Sequence, residues 1–250
     1  FEKLQKLSKK DIYRQIDACR LLGERYASTR EYLKAQETYT KGITLFQNEN
    51  QKNGFSGDKN TGMLYADMGN LEYFISGDMD AALKNYEMAV KNKNDVPSVN
   101  YKIGVINYEK NEYDKALVSF LKAAETEDGD ENLLMALGNV LSLKGDNFAA
   151  EGYYSHLLGL LDKEKGRRVM LFPHTKNEDN ILLEQYVKVN NNLGVTLYRI
   201  ARQTGDSSKN AQAIVRLSES IRAWDALTRD PVSMVRLGGS NLALQNSKYI

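Results

Sequence analysis

Residues 97–128 read PSVNYKIGVINYEKNEYDKALVSFLKAAETED. Ile103, Gly104 and Ile106 sit on a first helical segment, and Asn111-Glu112 makes a polar break. Tyr113, Ala116, Leu117, Phe120 and Ala123 then recur at spacings of three and four, which is one apolar face of a second helix. A glycine in mid-helix costs about 1 kcal/mol against alanine. Gly104 therefore needs a reason, and close approach of the second helix supplies it. Ala116 is small for the same reason, and Phe120 fills the space beyond.

Working outward, the same residues return. Gly104 recurs as Gly138, Ala82 as Ala116 and Ala150, and Tyr86 as Phe120 and Tyr154, each step being 34 residues. A fixed period of this size marks stacked repeats, each unable to bury its apolar face without a neighbour. The fourth unit carries Leu137, Gly138, Leu141, Gly145, Ala150 and Tyr154. The second carries Met68, Gly69, Gly77, Ala82, Tyr86 and Ala89, with one extra residue between Gly69 and Gly77. The first carries Leu22, Gly23, Tyr26, Tyr32, Ala35 and Tyr39, with Gly42 where alanine is expected.

This pattern of Leu-Gly, aromatic, Ala, Phe or Tyr, and Ala resembles the tetratricopeptide repeat. The resemblance covers about residues 12–250 and is most specific in 16–164. It implies an all-α, right-handed superhelical solenoid of stacked helix–turn–helix repeats. We expect a single domain over 1–250, with repeats at about 16–49, 62–96, 97–130, 131–164 and 187–227 and a partial one at 231–250. The chain begins at Phe1 and ends inside a repeat, and is expected to be a fragment of a longer one.

Composition fits an all-helical reading. Only three prolines occur in 250 residues, so few helix breakers are present. Thirty-four basic and 33 acidic side chains nearly cancel to +1, which argues against the basic stripe of a nucleic-acid binder. No apolar run approaches the roughly 20 residues a membrane span requires. The one cysteine, Cys19, excludes an internal disulfide and a cysteine-based zinc site. It is expected to be a buried, inert thiol.

The period breaks in three places. Residues 48–61, NENQKNGFSGDKNT, read as a surface loop, or as a contact loop with Phe55 as an exposed anchor. Residues 165–186 hold GRRVMLFPHTKNEDN, where Arg167 and Arg168 precede Val169, Leu171 and Phe172. That stretch could pack on its own solenoid. It could instead present apolar anchors while the arginines steer an acidic partner. Residues 204–210, TGDSSKN, read as an enlarged turn before a second helix over 211–227.

Chemistry-bearing motifs are absent. His156 and His174 are the only histidines, and their separation fits no metal motif. Gly77-Asp78-Met79-Asp80 looks superficially like a calcium loop but lacks its spacing and its terminal glutamate. Phosphate-binding loops and a nucleophilic triad are also missing. The expectation is a non-enzyme without cofactor or metal.

The resemblance implies that first helices line a concave binding face. On it would lie Asn70, Tyr73 and Phe74, then Tyr101, Val105 and Tyr108, then Met135, Asn139 and Ser142, then Asn191, Val195 and Tyr198. Amides can hold a peptide backbone through both donor and acceptor, and tyrosine gives contact area at low entropic cost. About half of these tyrosines would instead pack between helices. The Lys-Asn-Asn-Lys-Arg clamp by which some such proteins hold a terminal carboxylate is not reproduced, and Glu24 would repel one. The function expected is a protein–protein interaction scaffold with protein or peptide partners, no nucleic acid and no membrane insertion. The Asn-, Lys- and Tyr-rich style of the repeats is similar to that of bacterial envelope-assembly proteins, among them spirochaete flagellar collar proteins. That likeness would place the chain in the periplasm, and without it the cytoplasm is the default. A substrate- or ligand-binding module of a transport system is the alternative.

Overall fold

The computed structural model describes residues 8–125, 130–163 and 177–228. The described residues are all-α, with helices packed in sequential antiparallel pairs. The first pair is α1 (Lys9–Ser28) and α2 (Tyr32–Asn53), followed by α3 (Lys59–Leu71) and α4 (Met79–Lys91), then α5 (Pro97–Glu109) and α6 (Tyr113–Ala124). These belong to one compact unit, Phe1–Thr126. The second unit, Glu127–Ile250, holds α7 (Glu131–Leu143) with α8 (Asn147–Lys163) and α9 (Asn177–Thr204) with α10 (Ser207–Thr228).

Local chemistry sets the helix ends. Ser8, Asp58, Asp78 and Asp130 each accept a hydrogen bond from the backbone N–H three residues on, at 2.8–3.2 Å, the usual satisfaction of an otherwise orphaned donor. Asp78, one of the calcium-like acids, is thus a helix cap, and Asp80 pairs with Lys110. The turn inside each pair contains a residue in the left-handed region. It is Gly77, Gly145 and Gly205 in three pairs, Asn111 in another and Arg30 in the first. Only glycine adopts that conformation without steric cost.

Glycine also sets how closely the paired helices approach. A Cβ built on Gly23 would lie 2.2 Å from the Tyr39 ring. The corresponding distances are 2.8 Å for Gly69 and Tyr86, 2.5 Å for Gly104 and Phe120, and 2.4 Å for Gly138 and Tyr154. In the fifth pair Gly194 stands 2.7 Å from Leu217 by the same measure. The glycine of each first helix thus receives the large side chain of its second helix, in the register that the repeat pattern gives. Ala35, Ala82, Ala116, Ala150 and Ala213 are wholly buried beside these contacts. The exceptional Gly42 has its own cause, since a Cβ there would meet Cys19 Cβ at 2.9 Å and Leu64 Cδ2 at 2.8 Å. Cys19 is half-buried, and burial pushes its thiol pKa up.

The extra residue of the second unit is taken up inside the helix. Glu72–Ser76 forms a π-helical turn continuing α3, and such turns mark single insertions in α-helices. The closing hydrogen bond records it. Glu31, Glu112 and Asp146 donate their N–H to the carbonyl five residues back, at 2.8–3.0 Å, whereas Asp78 donates to Glu72, six back, at 3.0 Å.

The period breaks differ from the loops the composition suggests. α2 continues to Asn53 and α3 begins at Lys59. Phe55 is 2% exposed, with its ring centroid 4.6 Å from Tyr13 and 6.2 Å from Phe46. It is a core residue, not a surface anchor, because the short crossing between α2 and α3 turns it inward. Gly57 and Gly62 press against Asn92 and Asn94 and hold that crossing down. Residues 177–186 of the next break are helical, with Leu183 and Tyr186 buried. The last break lengthens α9 and α10, leaving only Gly205 and Asp206 between them. Arg167, Arg168, Val169, Leu171, Phe172 and His174, and the partial repeat from Pro231, lie outside the described residues.

Candidate functional site

In the first unit, α1, α2 and α3 enclose a cleft of ≈ 330 Å³. It is lined by Glu24 from α1, Tyr32 and Tyr39 from α2, Asp67, Asn70 and Leu71 from α3, and Ile75 of the π-turn. Arg20, its side chain 12% exposed, pairs with Asp17 at 3.2 Å and Glu24 at 3.3 Å and stands 4.0 Å from Asp67. One guanidinium therefore faces three carboxylates. Burial raises the Asp67 carboxyl pKa to about 6 against the opposing pull of Arg20. Burial also pushes the Tyr39 hydroxyl upward, and Asp67 and Glu24 add to it.

Asn70, expected to grip a ligand, has its carbonyl oxygen engaged twice. It accepts from the Tyr86 hydroxyl at 2.9 Å and from Lys102 Nζ at 2.7 Å. Lys102 also lies 5.7 Å from the centre of the Tyr86 ring, and burial lowers its pKa. Asn139 in the second unit repeats the arrangement, accepting from Tyr154 at 2.7 Å and from Asn192 Nδ2 at 2.9 Å. In both cases the amide following the repeat glycine ties its own second helix to the next first helix. The third pair has Val105 and Phe120 at these positions, with no hydroxyl to satisfy, and the fifth has Val195 and Leu217. Tyrosine hydroxyls buried here need a partner, so in the second and fourth pairs amide goes with tyrosine, and in the third and fifth valine goes with phenylalanine or leucine; the first pair sets Glu24 with Tyr39.

The other expected groove residues divide by environment. Phe74 is 65% exposed and meets the Tyr73 ring edge-on at 4.9 Å, while the Tyr73 hydroxyl donates to Glu109 at 2.9 Å. Tyr101 packs on Phe120 at 5.6 Å, and Tyr108 lies 5.8 Å from Tyr113. Met135, Val195 and Tyr198 are half-buried. Met135 Sδ accepts from Asn192 at 3.7 Å, and Ser142 Oγ from Arg199 at 2.8 Å. Asn191 is 8% exposed and donates to Asn192 at 3.1 Å. Most of the amides thus brace the helices.

A second cleft of ≈ 280 Å³ lies among α8, α9 and α10. Of its charged groups, Glu151 pairs with Lys209 at 2.5 Å, Asp162 accepts from the Tyr186 hydroxyl at 2.7 Å, and Arg216 donates to Asn190 Oδ1 at 3.5 Å. His156 is exposed. Among the described residues no cluster of histidine, cysteine and carboxylate side chains could hold a metal ion, and no helix is long and apolar enough to cross a membrane.

Sequence reasoning missed Asp67, Tyr32 and Ile75 as cleft residues. Asp67 lies one helical turn before Asn70, so the shared face was available as a signal. The cleft itself depends on the approach of three helices and leaves no local trace.

No protein-family model and no curated protein matches the sequence. Solved structures do match in fold. The tetratricopeptide-repeat protein YrrB, described as having an unusual peptide-binding site, aligns over 92% of this chain and 90% of its own, with TM-score 0.64 and 16% identity. MamA aligns over 86% of this chain and 94% of its own, with TM-score 0.60 and 12% identity. BtubC from P. vanneervenii aligns over 91% and 93%, with TM-score 0.55 and 14% identity. The glycine-to-aromatic register, the antiparallel helix pairs and these likenesses agree: the fold of this chain is that of the tetratricopeptide-repeat proteins.

Proposed function

We propose that this chain is a non-enzymatic protein–protein interaction scaffold that holds an extended or helical peptide segment of its partner on its first helices. The observation that carries this reading is the cleft of the first unit. There Glu24, Tyr32, Asp67 and Ile75 line the cleft as exposed or half-exposed groups, Glu24 being paired to Arg20 at 3.3 Å. Such a mixture of apolar wall and few polar groups is what ligand sites present. The peptide-binding site named for YrrB supports the same reading by analogy of fold, which is a weaker warrant than the site itself.

The finer reading is a subunit of a bacterial envelope or flagellar-motor-associated assembly, supported by the Asn-, Lys- and Tyr-rich style of the repeats. The segment around Arg167 to Phe172 remains a second proposed contact. A transport module for an apolar cargo is not favoured, since both clefts carry carboxylates.

Panning a displayed peptide library on the folded chain tests the central claim. Enriched peptides should lose binding to a Tyr32→Ala, Ile75→Asp variant that still folds. Equal recovery by that variant would remove the cleft from the reading, and no enrichment at all would remove peptide binding.

A further inference from the structure

We propose that the outer face of α1 docks an amphipathic helix of a partner protein, its apolar stripe on Leu21 and Leu22 and its acidic flanks facing Arg14 and Arg25. This surface uses other residues of α1 than those that line the cleft, and it does not depend on a peptide binding there.

Three positions of a first helix need cover: the residue five before the repeat glycine, the one just before it and the one two after it. They are Leu64, Met68 and Leu71 in α3, Val99, Ile103 and Ile106 in α5, and Val189, Leu193 and Thr196 in α9. All are buried except Met68, which is half-buried. On each of these first helices the preceding second helix packs, α2 on α3, α4 on α5 and α8 on α9.

In α1 the same positions are Ala18, Leu22 and Arg25, and all three are exposed. Leu22 is 49% exposed and Leu21 beside it 51%. Among the described residues no helix precedes α1, so the face that receives a second helix in the other pairs stands open. Adjacent leucines in water beside an alanine one turn away form the kind of contiguous patch that marks an interaction surface. What covers these positions elsewhere in the chain gives the form of the occupant, an amphipathic helix lying against the first helix.

Charge gives its chemistry. Lys10, Arg14, Ala18, Leu21, Leu22 and Arg25 lie on one exposed face of α1, about 22 Å long at the helical rise. The face is apolar in its middle and basic at both ends. Asp17 and Glu24 are turned to Arg20. Arg14 has only Asp11, at 3.8 Å, and Lys10 and Arg25 make no ion pair among the described residues. A helix that carries carboxylates on either side of its apolar stripe complements this face, and one that carries lysines is repelled by it.

The probe is a fluorescein-labelled helical peptide of leucine and glutamate, with the leucines at spacings of three and four, compared with the same peptide carrying lysine for glutamate. Fluorescence anisotropy should show at least ten-fold tighter binding of the glutamate form. Leu21→Gln with Leu22→Gln should weaken that binding at least ten-fold, and Arg14→Glu with Arg25→Glu should reverse the preference. The cleft variant Tyr32→Ala, Ile75→Asp should bind as wild type does. Glutamine keeps the helix propensity of leucine within a few tenths of a kcal/mol, so the leucine variant should unfold at the wild-type urea midpoint. Equal binding of the two peptides, binding of neither, or no effect of the leucine variant overturns the proposal. A lowered midpoint in the leucine variant also overturns it, because the face is then covered by the chain itself. Self-association of wild type in sedimentation velocity that the leucine variant abolishes overturns it in favour of a second copy of this chain.

Discussion

Three glycine-to-alanine substitutions within one helix pair, α7 and α8, are expected to act in opposite directions. A Cβ added at Gly138 would stand 2.4 Å from Tyr154 Cε1 and 2.7 Å from Cδ1, about 1 Å inside the ~3.5 Å separation at which carbon atoms attract. The ring has little freedom to yield. Tyr154 is 2% exposed, and its hydroxyl is held by Asn139 at 2.7 Å. Over-packing costs about 1–3 kcal/mol, and a ring fixed at both ends puts Gly138→Ala near the top of that range. Alanine returns about 1 kcal/mol of helix propensity, so the balance is about 2 kcal/mol of destabilisation. Gly152 and Gly159 lie within α8 with nothing inside 4 Å of an added Cβ. There only propensity acts, and each substitution should stabilise by roughly 1 kcal/mol. Urea unfolding followed by circular dichroism reads the sign from the midpoint at constant slope. All three positions lie in one helix pair, so they report on the same folding unit. Equal stability of Gly138→Ala and wild type, or destabilisation by Gly152→Ala and Gly159→Ala, would refute close approach as the reason for the repeat glycine.

Asp67→Asn should raise stability by about 1–3 kcal/mol at pH 8, from a shift of 3.8 to about 6 at 1.36 kcal/mol per unit. Because the folded-state value is the higher one, the contribution of Asp67 is most favourable below 3.8 and is lost as pH rises through about 6. The advantage of the variant should shrink towards pH 4, and a gap that widens on acidification would contradict the desolvation argument. Asn139→Val and Tyr154→Phe should each cost about 1 kcal/mol, but together less than their sum, since Val105 and Phe120 are that pairing in the third repeat. A double-mutant cycle giving strict additivity would deny the link. Phe55→Ala should cost about 3–5 kcal/mol in chemical unfolding, against a few tenths if the residue were a surface anchor.

The repeat register was legible because it depends on spacings inside one helix pair. Gly104 and Phe120 meet for reasons that a helical period and the size of a side chain already contain. The extra residue before Gly77 was legible as a count, but its form as a π-turn at Glu72–Ser76 was not, since a loop would satisfy the same count. Phe55 shows the limit more sharply. Its neighbours Gly54, Ser56, Gly57 and Asp58 are loop-forming, yet burial is decided by packing on Phe46 and on Tyr13 of another helix, far off in the chain. The same holds at the groove, where Asn70 and Asn139 looked like ligand-binding amides until Lys102 and Asn192 were seen to occupy them.

The sequence by itself determined the all-α class, the pairing of helices and the contact of each repeat glycine with the large side chain of its partner helix, because these follow from periodicity and volume over short separations. Only the tertiary structure decided which polar groups are spent on holding repeats together. That distinction depends on partners 15–53 residues apart in the chain and on the burial of Asp67, and neither quantity is carried by any local stretch of residues.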